Sequence, residues 1–384
     1  MIQMYTARTA EVDELQYAME EIQEQIDFSV LKKNSCGILL CHMDFIESGL
    51  VTALCEALPF PTIGMTSMAS ADARGHSLFE LTLTVLTSDD VTFEAGMTDN
   101  ITRANYQQEI ENLYAELRSR VPSDPAMILT LAPHVHDVAG YEVVAAMDAA
   151  CNGIPIWGSI TSGIDFAYEA VQTVCNGKHL QRGLAMMLLH GPVEPKFVVS
   201  SLPERNITNN RAVITKSKGS TLYEINGMPV LDYLATVGLV INKENITTTP
   251  LMVYYEADKE PVALGFYTLF DDGSVLTGGE LPEGTSFAVG SIDAEGIVDS
   301  AQTALKQMLA YPERQATLLF PCVTRYIMLA PEQERELDLI GESLGKSGSP
   351  FMMGYSGGEI CPMPGPDGAL RNRFHNYTFS ACML

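Results

Sequence analysis

The sequence has no cysteine pair at zinc-binding spacing, no run of basic residues and no long apolar stretch. Its eight cysteines include no C-x-x-C pair, which gives a structural zinc site no support and favours free thiols. The 23 Lys and Arg residues are dispersed and the formal net charge is -25. This charge disfavours nucleic acid and anionic lipid as partners, because both require clustered basic side chains.

Membrane insertion and secretion also lack a signal. No apolar run approaches the roughly 20 residues that span a bilayer. The N-terminal stretch "MIQMYTARTAEVDELQ" has no basic region followed by an apolar core. We therefore expect a cytoplasmic protein that does not insert into membranes.

The length and composition predict a globular protein of two domains. A chain of 384 residues exceeds what one hydrophobic core usually organises, and 46% hydrophobic with 18% charged residues is ordinary for folded proteins. Prolines 192, 195 and 203 and a polar cluster follow an apolar run, "GLAMMLLHG". We place the boundary there and expect domains at 1–200 and 201–384.

Helical and strand patterns alternate along the chain. In residues 9–27, apolar side chains recur at steps of three and four, as on one face of a helix: Val12, Leu15, Met19, Ile22 and Ile26. Short apolar runs such as "GILLCHM" and "AMILTLAP" are typical of buried strands, and "ELTLTVLT" alternates as a half-exposed strand does. The pattern predicts an α/β fold with mixed, mainly antiparallel sheets flanked by helices.

Three internal repeats are the most informative pattern. Each has a strand and a helix that lead to a proline, two apolar residues, a glycine and small hydroxyl residues. The paired segments are 38–44 with "FPTIGMTSMAS" (60–70), 128–134 with "IPIWGSITSG" (154–163), and 318–324 with "SPFMMGYSGGE" (349–359). Such turns present hydroxyl and N–H groups suited to a small polar ligand. Alternatively, each glycine only allows close packing.

The third turn also spells G-x-S-x-G, the pattern of a nucleophile elbow centred on Ser356. A hydrolase of that type needs an acid and a histidine on later strand-helix units. Asp367 and His375 follow in that order, but only 28 residues remain after Ser356 and three prolines interrupt them. A hydrolase or transferase that uses Ser356 or Cys361 as nucleophile is therefore the alternative, and no catalytic residue is assigned in the main interpretation.

The order of several motifs resembles the FIST family over nearly the whole chain. The motifs are "IPIWGSITSG", "YEINGMPVLDYL", "ALGFYTLFDDGSVLTGGELPEGTSFAVGS" and "FMMGYSGGEICP…FHNYTFSACM". The resemblance implies N- and C-terminal FIST domains and an intracellular sensory module that binds small ligands such as amino acids. It highlights Gly354, Gly358, Glu359, Asn376 and Thr378, with Tyr355 at the aromatic position of the turn. Because no output domain is apparent, we expect signalling through another protein.

Charged groups near the glycine turns complete the predicted site. Arg325, after the "LLFPCVT" run, is expected to hold a ligand carboxylate, and Glu359 a ligand ammonium group. Each can instead belong to a structural network, as can Arg371 and Arg373. Trp157, the single tryptophan, is either a core residue or a ligand platform. The full predicted ligand site is Trp157, Gly158, Ser159, Arg325, Gly354, Tyr355, Ser356, Gly357, Gly358, Glu359, Asn376 and Thr378.

We expect no cofactor and no metal. His134, His136 and Asp137 resemble a metal cluster, but side chains two apart at a strand end diverge. The main prediction is a non-catalytic sensor of an amino acid or a similar small polar metabolite. A protein-interaction scaffold without a metabolite is the third possibility.

Overall fold

The computed structural model describes residues 1–163, 170–242, 245–311, 315–346 and 348–384. The strands are β1 (Gln3–Thr9), β2 (Asn34–Cys41), β3 (Thr62–Thr66), β4 (Ser70–Asp72), β5 (Gly75–Ser77), β6 (Leu81–Ser88), β7 (Thr92–Met97), β8 (Met127–Ala132), β9 (Ile156–Ile160), β10 (Thr173–Cys175), β11 (Lys178–Leu180), β12 (Ala185–His190), β13 (Lys196–Ser200), β14 (Ala212–Lys218), β15 (Thr221–Ile225), β16 (Met228–Pro229), β17 (Pro250–Tyr254), β18 (Val262–Leu269), β19 (Val275–Thr277), β20 (Ser286–Val289), β21 (Thr317–Leu319), β22 (Phe351–Gly354), β23 (Glu359–Pro364), β24 (Leu370–His375) and β25 (Phe379–Met383). The helices are α1 (Leu15–Gln25), α2 (Asp44–Glu47), α3 (Leu50–Ala57), α4 (Tyr106–Ser119), α5 (Gly140–Cys151), α6 (Val230–Thr236), α7 (Ala294–Leu309), α8 (Val323–Met328) and α9 (Arg335–Gly345).

Three six-stranded sheets share one plan. Their strand orders are β1-β6-β2-β3-β10-β11 in the first sheet, β7-β12-β8-β9-β23-β24 in the second and β13-β25-β21-β22-β4-β5 in the third. The central pair of each sheet is parallel and is joined through helices: β2 with β3, β8 with β9, and β21 with β22. The other pairings are antiparallel. The three repeats of the sequence are thus confirmed, and so is the mixed α/β fold class.

Each repeat gives a hairpin to a neighbouring sheet. After β3, the hairpin β4–β5 pairs with β22 of the third sheet. After β9, the hairpin β10–β11 pairs with β3 of the first sheet. After β22, the hairpin β23–β24 pairs with β9 of the second sheet. The three glycine turns are therefore the points where the chain crosses between sheets.

The inner faces of the three sheets pack together in one central core. Strand β2 explains how, because its residues alternate between two clusters. Ile38 and Leu40 join the central core, whereas Leu39 and Cys41 pack under α1, α2 and α3. With both faces covered, the strand is a continuous apolar run, as the sequence "GILLC" shows. The helix predicted in 9–27 is present as α1.

A fourth, seven-stranded antiparallel sheet lies between β13 and α7 in the chain. Its order is β14-β20-β17-β18-β19-β15-β16, and it packs with α6 around its own core. The second and third sheets each combine strands from both sides of residue 200. The boundary near that residue stays a prediction.

One local expectation needs correction. The run at 318–324 was expected to be a strand, but β21 ends at Leu319 and α8 begins at Val323. Pro321 has no N–H to donate to a ladder, and the chain turns into the helix from Cys322. Arg325 therefore lies on a helix rather than just after a strand.

Candidate functional site

The three glycine turns meet in the interior of the molecule, where they form a junction of segments 66–69, 159–162 and 355–358. Hydrogen bonds join them directly. Ser67 Oγ and Ser162 Oγ both donate to the carbonyl oxygen of Tyr355, at 3.1 and 2.6 Å. Ser159 Oγ donates to Ser356 Oγ at 2.8 Å. All four serine hydroxyl groups belong to buried residues and are hydrogen-bonded within this turn junction, whereas the buried Thr161 Oγ1 in the same junction has no hydrogen-bond partner among the described residues.

Close backbone packing explains the glycines at the sheet crossings. A Cβ atom on Gly158 would lie 1.9 Å from the carbonyl oxygen of Thr130, and one on Gly64 would lie 2.9 Å from that of Leu39. Neither contact is sterically possible without a backbone shift. The close-packing alternative therefore accounts for these two positions.

Ser356 bonds within its own turn. Its hydroxyl donates to Gly358 O at 2.7 Å and accepts from Gly358 N at 3.1 Å. Asp367 instead pairs with Arg371 at 2.9 Å, and His375 Nε2 lies 3.0 Å from Cys361 O. In the part of the chain that is described, neither residue is hydrogen-bonded to Ser356, so the structure does not assemble the three as a triad.

Glu359 is the ionisable group in this region with unused bonding capacity, and the buried Thr161 hydroxyl and Trp157 Nε1 also have no hydrogen-bond partner among the described residues. It is fully buried, and its Oε2 accepts from Thr378 Oγ1 at 2.8 Å and from Thr378 N at 3.2 Å. Its Oε1 has no partner at hydrogen-bond distance and angle among the described residues, and the Cys322 thiol is the side-chain donor near this carboxyl group. Burial raises the pKa of Glu359 to about 8, although Thr378, the Cys322 thiol and the Arg325 charge partly oppose that rise.

Arg325 is fully buried and already has partners. Its Nε donates to Glu336 Oε1 at 2.9 Å, Nη1 donates to Tyr377 O at 3.1 Å, and Nη2 donates to Ile297 O at 2.9 Å. Glu336 is also fully buried and accepts from Tyr355 Oη at 3.3 Å. The guanidinium group is thus the centre of a structural ion pair beside the predicted site, and its contact with a ligand stays a prediction.

Asn376 is hydrogen-bonded to the fourth sheet. Its Oδ1 accepts from Gly265 N at 2.9 Å, and its Nδ2 donates to Tyr267 Oη at 2.7 Å. The next residue, Tyr377, has a φ of 62°, which is unusual for a bulky residue, and donates to Thr247 O at 2.8 Å. Residues 376–378 therefore link the Glu359 carboxyl group to the fourth sheet.

Trp157 and Cys361 lie in the central core. Trp157 is fully buried and stacks on Phe320 with 4.7 Å between the ring centroids. Cys361 is also fully buried, and burial raises the pKa of its thiol. A thiol with a raised pKa is a poor nucleophile near neutral pH.

Sequence reasoning missed two buried residues that hold the site together. Glu336, on α9, is the ion-pair partner of Arg325. The Cys322 thiol contributes to the electrostatics of Glu359. No local signal marks Glu336, because a lone Glu in a helix usually faces solvent.

Neither a metal-binding cluster nor a membrane-spanning helix occurs among the described residues. They contain no group of three His, Cys, Asp or Glu side chains placed to hold a metal ion. None of their helices combines the length and the apolar character that crossing a bilayer demands.

Comparison with protein families identifies the chain. A model of the FIST N domain matches residues 35–228, and a model of the FIST C domain matches residues 232–362. The chain belongs to the FIST family, whose domains are small-ligand sensory domains in signalling.

Comparisons with individual proteins add little. No curated protein matches the chain. A solved structure described as "Cyanuric acid hydrolase: evolutionary innovation by structural concatenation" aligns over 76% of this chain and 100% of its own, at 9% identity and a TM-score of 0.31. A likeness this slight carries no argument about function.

Proposed function

We propose that this protein is a cytoplasmic, non-catalytic sensor of a small polar metabolite of the amino-acid class, with its output passed to another protein. The observation that carries the ligand class is Glu359. A buried carboxyl oxygen without a hydrogen-bond partner is rare in folded proteins, because leaving it unpaired has a substantial energetic cost. A ligand ammonium group would supply the missing donor.

The surroundings of Glu359 support an enclosed ligand rather than a surface contact. Glu359, Thr378 and Ser356 are all fully buried. Arg325 adds a positive charge nearby, which suits the carboxylate end of an amino acid. The eight cysteines are free and buried, which supports a reducing, cytoplasmic location.

Proton release provides a specific signature of binding at Glu359. Because its pKa is raised to about 8, the carboxyl group is mostly protonated at pH 7. An ammonium-bearing ligand pairs best with the ionised form, so binding should release close to one proton.

The experiment is a thermal-shift screen of the twenty amino acids, followed by calorimetry of each hit in two buffers that differ in ionisation enthalpy. A ligand at about a hundred times its dissociation constant should stabilise the protein by about 2.7 kcal/mol. Glu359→Gln should weaken binding at least about tenfold and abolish proton release, because it removes a buried charged partner.

Glu24→Gln, an exposed change on α1, is the matched control and should leave affinity unchanged. If no amino acid binds, the ligand class is wrong. If one binds but Glu359→Gln alters neither its affinity nor the proton release, the ligand contacts other residues.

A further inference from the structure

A surface cavity of about 880 Å³ lies between α4, α5 and the loop that carries Glu280 in the fourth sheet. Tyr106, Tyr114 and Tyr141 line it together with an alanine face of α5. A second cavity of about 230 Å³ shares Tyr141 and Glu280 with the first and extends to Tyr255. The larger volume is that of a small-molecule site, and the position between two packed units is where such sites commonly occur.

The charges at this cavity are unevenly paired. Its basic residue, Arg118, is held by Asp124 at 2.8 Å. Glu142 is likewise held by Arg103 at 2.6 Å. By contrast, the carboxylates of Glu111 and Glu280 have no hydrogen bond or ion pair among the described residues. These two exposed residues come from different elements, α4 and the loop between β19 and β20, and add two carboxylates at the cavity that no described basic side chain pairs with.

The aromatic rings at the cavity favour a cation as well. The Arg103 guanidinium lies 5.8 Å from the centre of the Tyr106 ring, and that of Arg373 lies 5.8 Å from the centre of the Tyr255 ring. Two rings in this region thus already have a cation over their faces. Among the described residues, no cation occupies the ring of Tyr114 or Tyr141.

We propose that this cavity binds an aliphatic diamine or polyamine. The ammonium groups pair with Glu111 and Glu280, and the methylene chain packs against Tyr114, Tyr141 and the alanine face of α5. Two carboxylates on separate elements suit two separated ammonium groups, and the tyrosine rings suit the methylene segments and the adjoining ammonium charge. The site is distinct from Glu359 and does not depend on the function proposed above.

Calorimetric titration with putrescine and spermidine tests the proposal. The titrations should run at about 0.15 M salt, because a protein of net charge -25 attracts cations weakly over its whole surface. Saturable binding with one dominant site is expected. Neutral 1,4-butanediol and Mg²⁺ should not compete, since one lacks the charge and the other lacks the alkyl chain.

Paired variants separate a specific site from general charge attraction. The double variant Glu111→Gln/Glu280→Gln should raise the dissociation constant at least about tenfold, and Tyr114→Leu should raise it about threefold or more. The control Glu24→Gln/Glu56→Gln makes the same change in net charge at exposed positions on α1 and α3. It should alter the dissociation constant less than twofold.

Three outcomes would overturn the proposal: no saturable amine binding, equal weakening in both double variants, or binding that depends on Glu359 instead. The last would leave the sensor function standing, because Glu359 is the residue on which that function rests.

Discussion

Glu359 is a single residue whose protonation should be visible in the stability of the whole protein. Its pKa is raised from about 4.5 to about 8 by burial, so the folded state keeps a proton that the unfolded chain has lost. Between about pH 5 and 8 the free energy of unfolding should therefore fall with pH, by at most about 1.4 kcal/mol per unit from this group. Below pH 4.5 and above pH 8 its contribution should be constant.

Glu359→Gln is the variant that isolates this effect. The amide keeps an oxygen for Thr378 and does not titrate, so the difference in unfolding free energy between wild type and variant should change across that pH window. Urea denaturation from pH 5 to 9 measures it. Contributions from buried histidines such as His375, whose pKa burial lowers to about 4, are common to both proteins and cancel. Parallel curves would mean that Glu359 titrates normally.

A second residue-scale prediction compares two of the arginine ion pairs formed by α7, α8 and α9. Arg325–Glu336 is fully buried, whereas Arg335–Glu295 is largely exposed. Glu336→Gln leaves an uncompensated buried guanidinium group and should therefore lower the free energy of unfolding by about 3–5 kcal/mol. Glu295→Gln is the matched surface change and should cost about 1 kcal/mol or less. Equal losses in urea denaturation would contradict the assignment of Arg325 as a buried structural cation.

At the scale of elements, the link 376–378 fits tightly against the fourth sheet. A Cβ atom on Gly278 would lie 2.3 Å from Asn376 Oδ1, so Gly278→Ala must displace the amide that binds Gly265. We expect the free energy of unfolding to fall by about 1–3 kcal/mol and the amide hydrogen of Gly265 to exchange faster.

Gly341→Ala provides the opposite result for the same chemical change. Gly341 lies inside α9, and an added Cβ would meet nothing within 4 Å. Alanine should therefore raise stability by about 0.5–1 kcal/mol through its helix propensity. Thermal unfolding of both variants tests this difference in stability. A stabilised Gly278→Ala variant would show that residues 376–378 do not pack tightly against Gly278.

The sequence predicts elements well where one chain segment determines its own structure. The alternation of Ile38 and Leu40 with Leu39 and Cys41 between two cores depends only on strand geometry. The three strand-helix-glycine repeats can be recognised directly in the amino-acid sequence. The hairpin exchange is not visible, because pairing of β4 with β22 joins residues far apart in sequence. A pattern of apolar residues specifies that a strand is buried but does not name its neighbour.

The same limit applies to the candidate site. The hydroxyl residues at the turns could be identified from the glycine motif, and Ser159 and Ser356 do meet. The sequence could not show that these hydroxyl groups bond to each other within the junction. That arrangement depends on Ser67 and Ser162, which come from the other sheet crossings. The sequence predicts that Arg325 binds a ligand because nothing in it reveals the true partner of this side chain. That partner, Glu336, lies on a different helix.

At the scale of the whole molecule, the exchanged hairpins predict how the chain can be divided. A fragment of residues 1–200 retains every strand of the first sheet but lacks β23 and β24 of the second and β21, β22 and β25 of the third. Its share of the central core, including Trp157, would lose Phe320 and face water. We expect it to aggregate or to unfold without cooperativity, because exposed core and unpaired strand edges both favour association.

Fragment 207–290 is the matched comparison, because it contains all seven strands of the fourth sheet and nearly all of that sheet's core. We expect it to remain monomeric and to unfold cooperatively, as a unit with its own core does. Size-exclusion chromatography and circular dichroism compare the two fragments, and co-expression of 1–200 with 201–384 should restore the Trp157 emission of the intact chain. If 1–200 alone folds cooperatively with that emission, the boundary near residue 200 separates independent domains and the hairpin exchange is dispensable for the core.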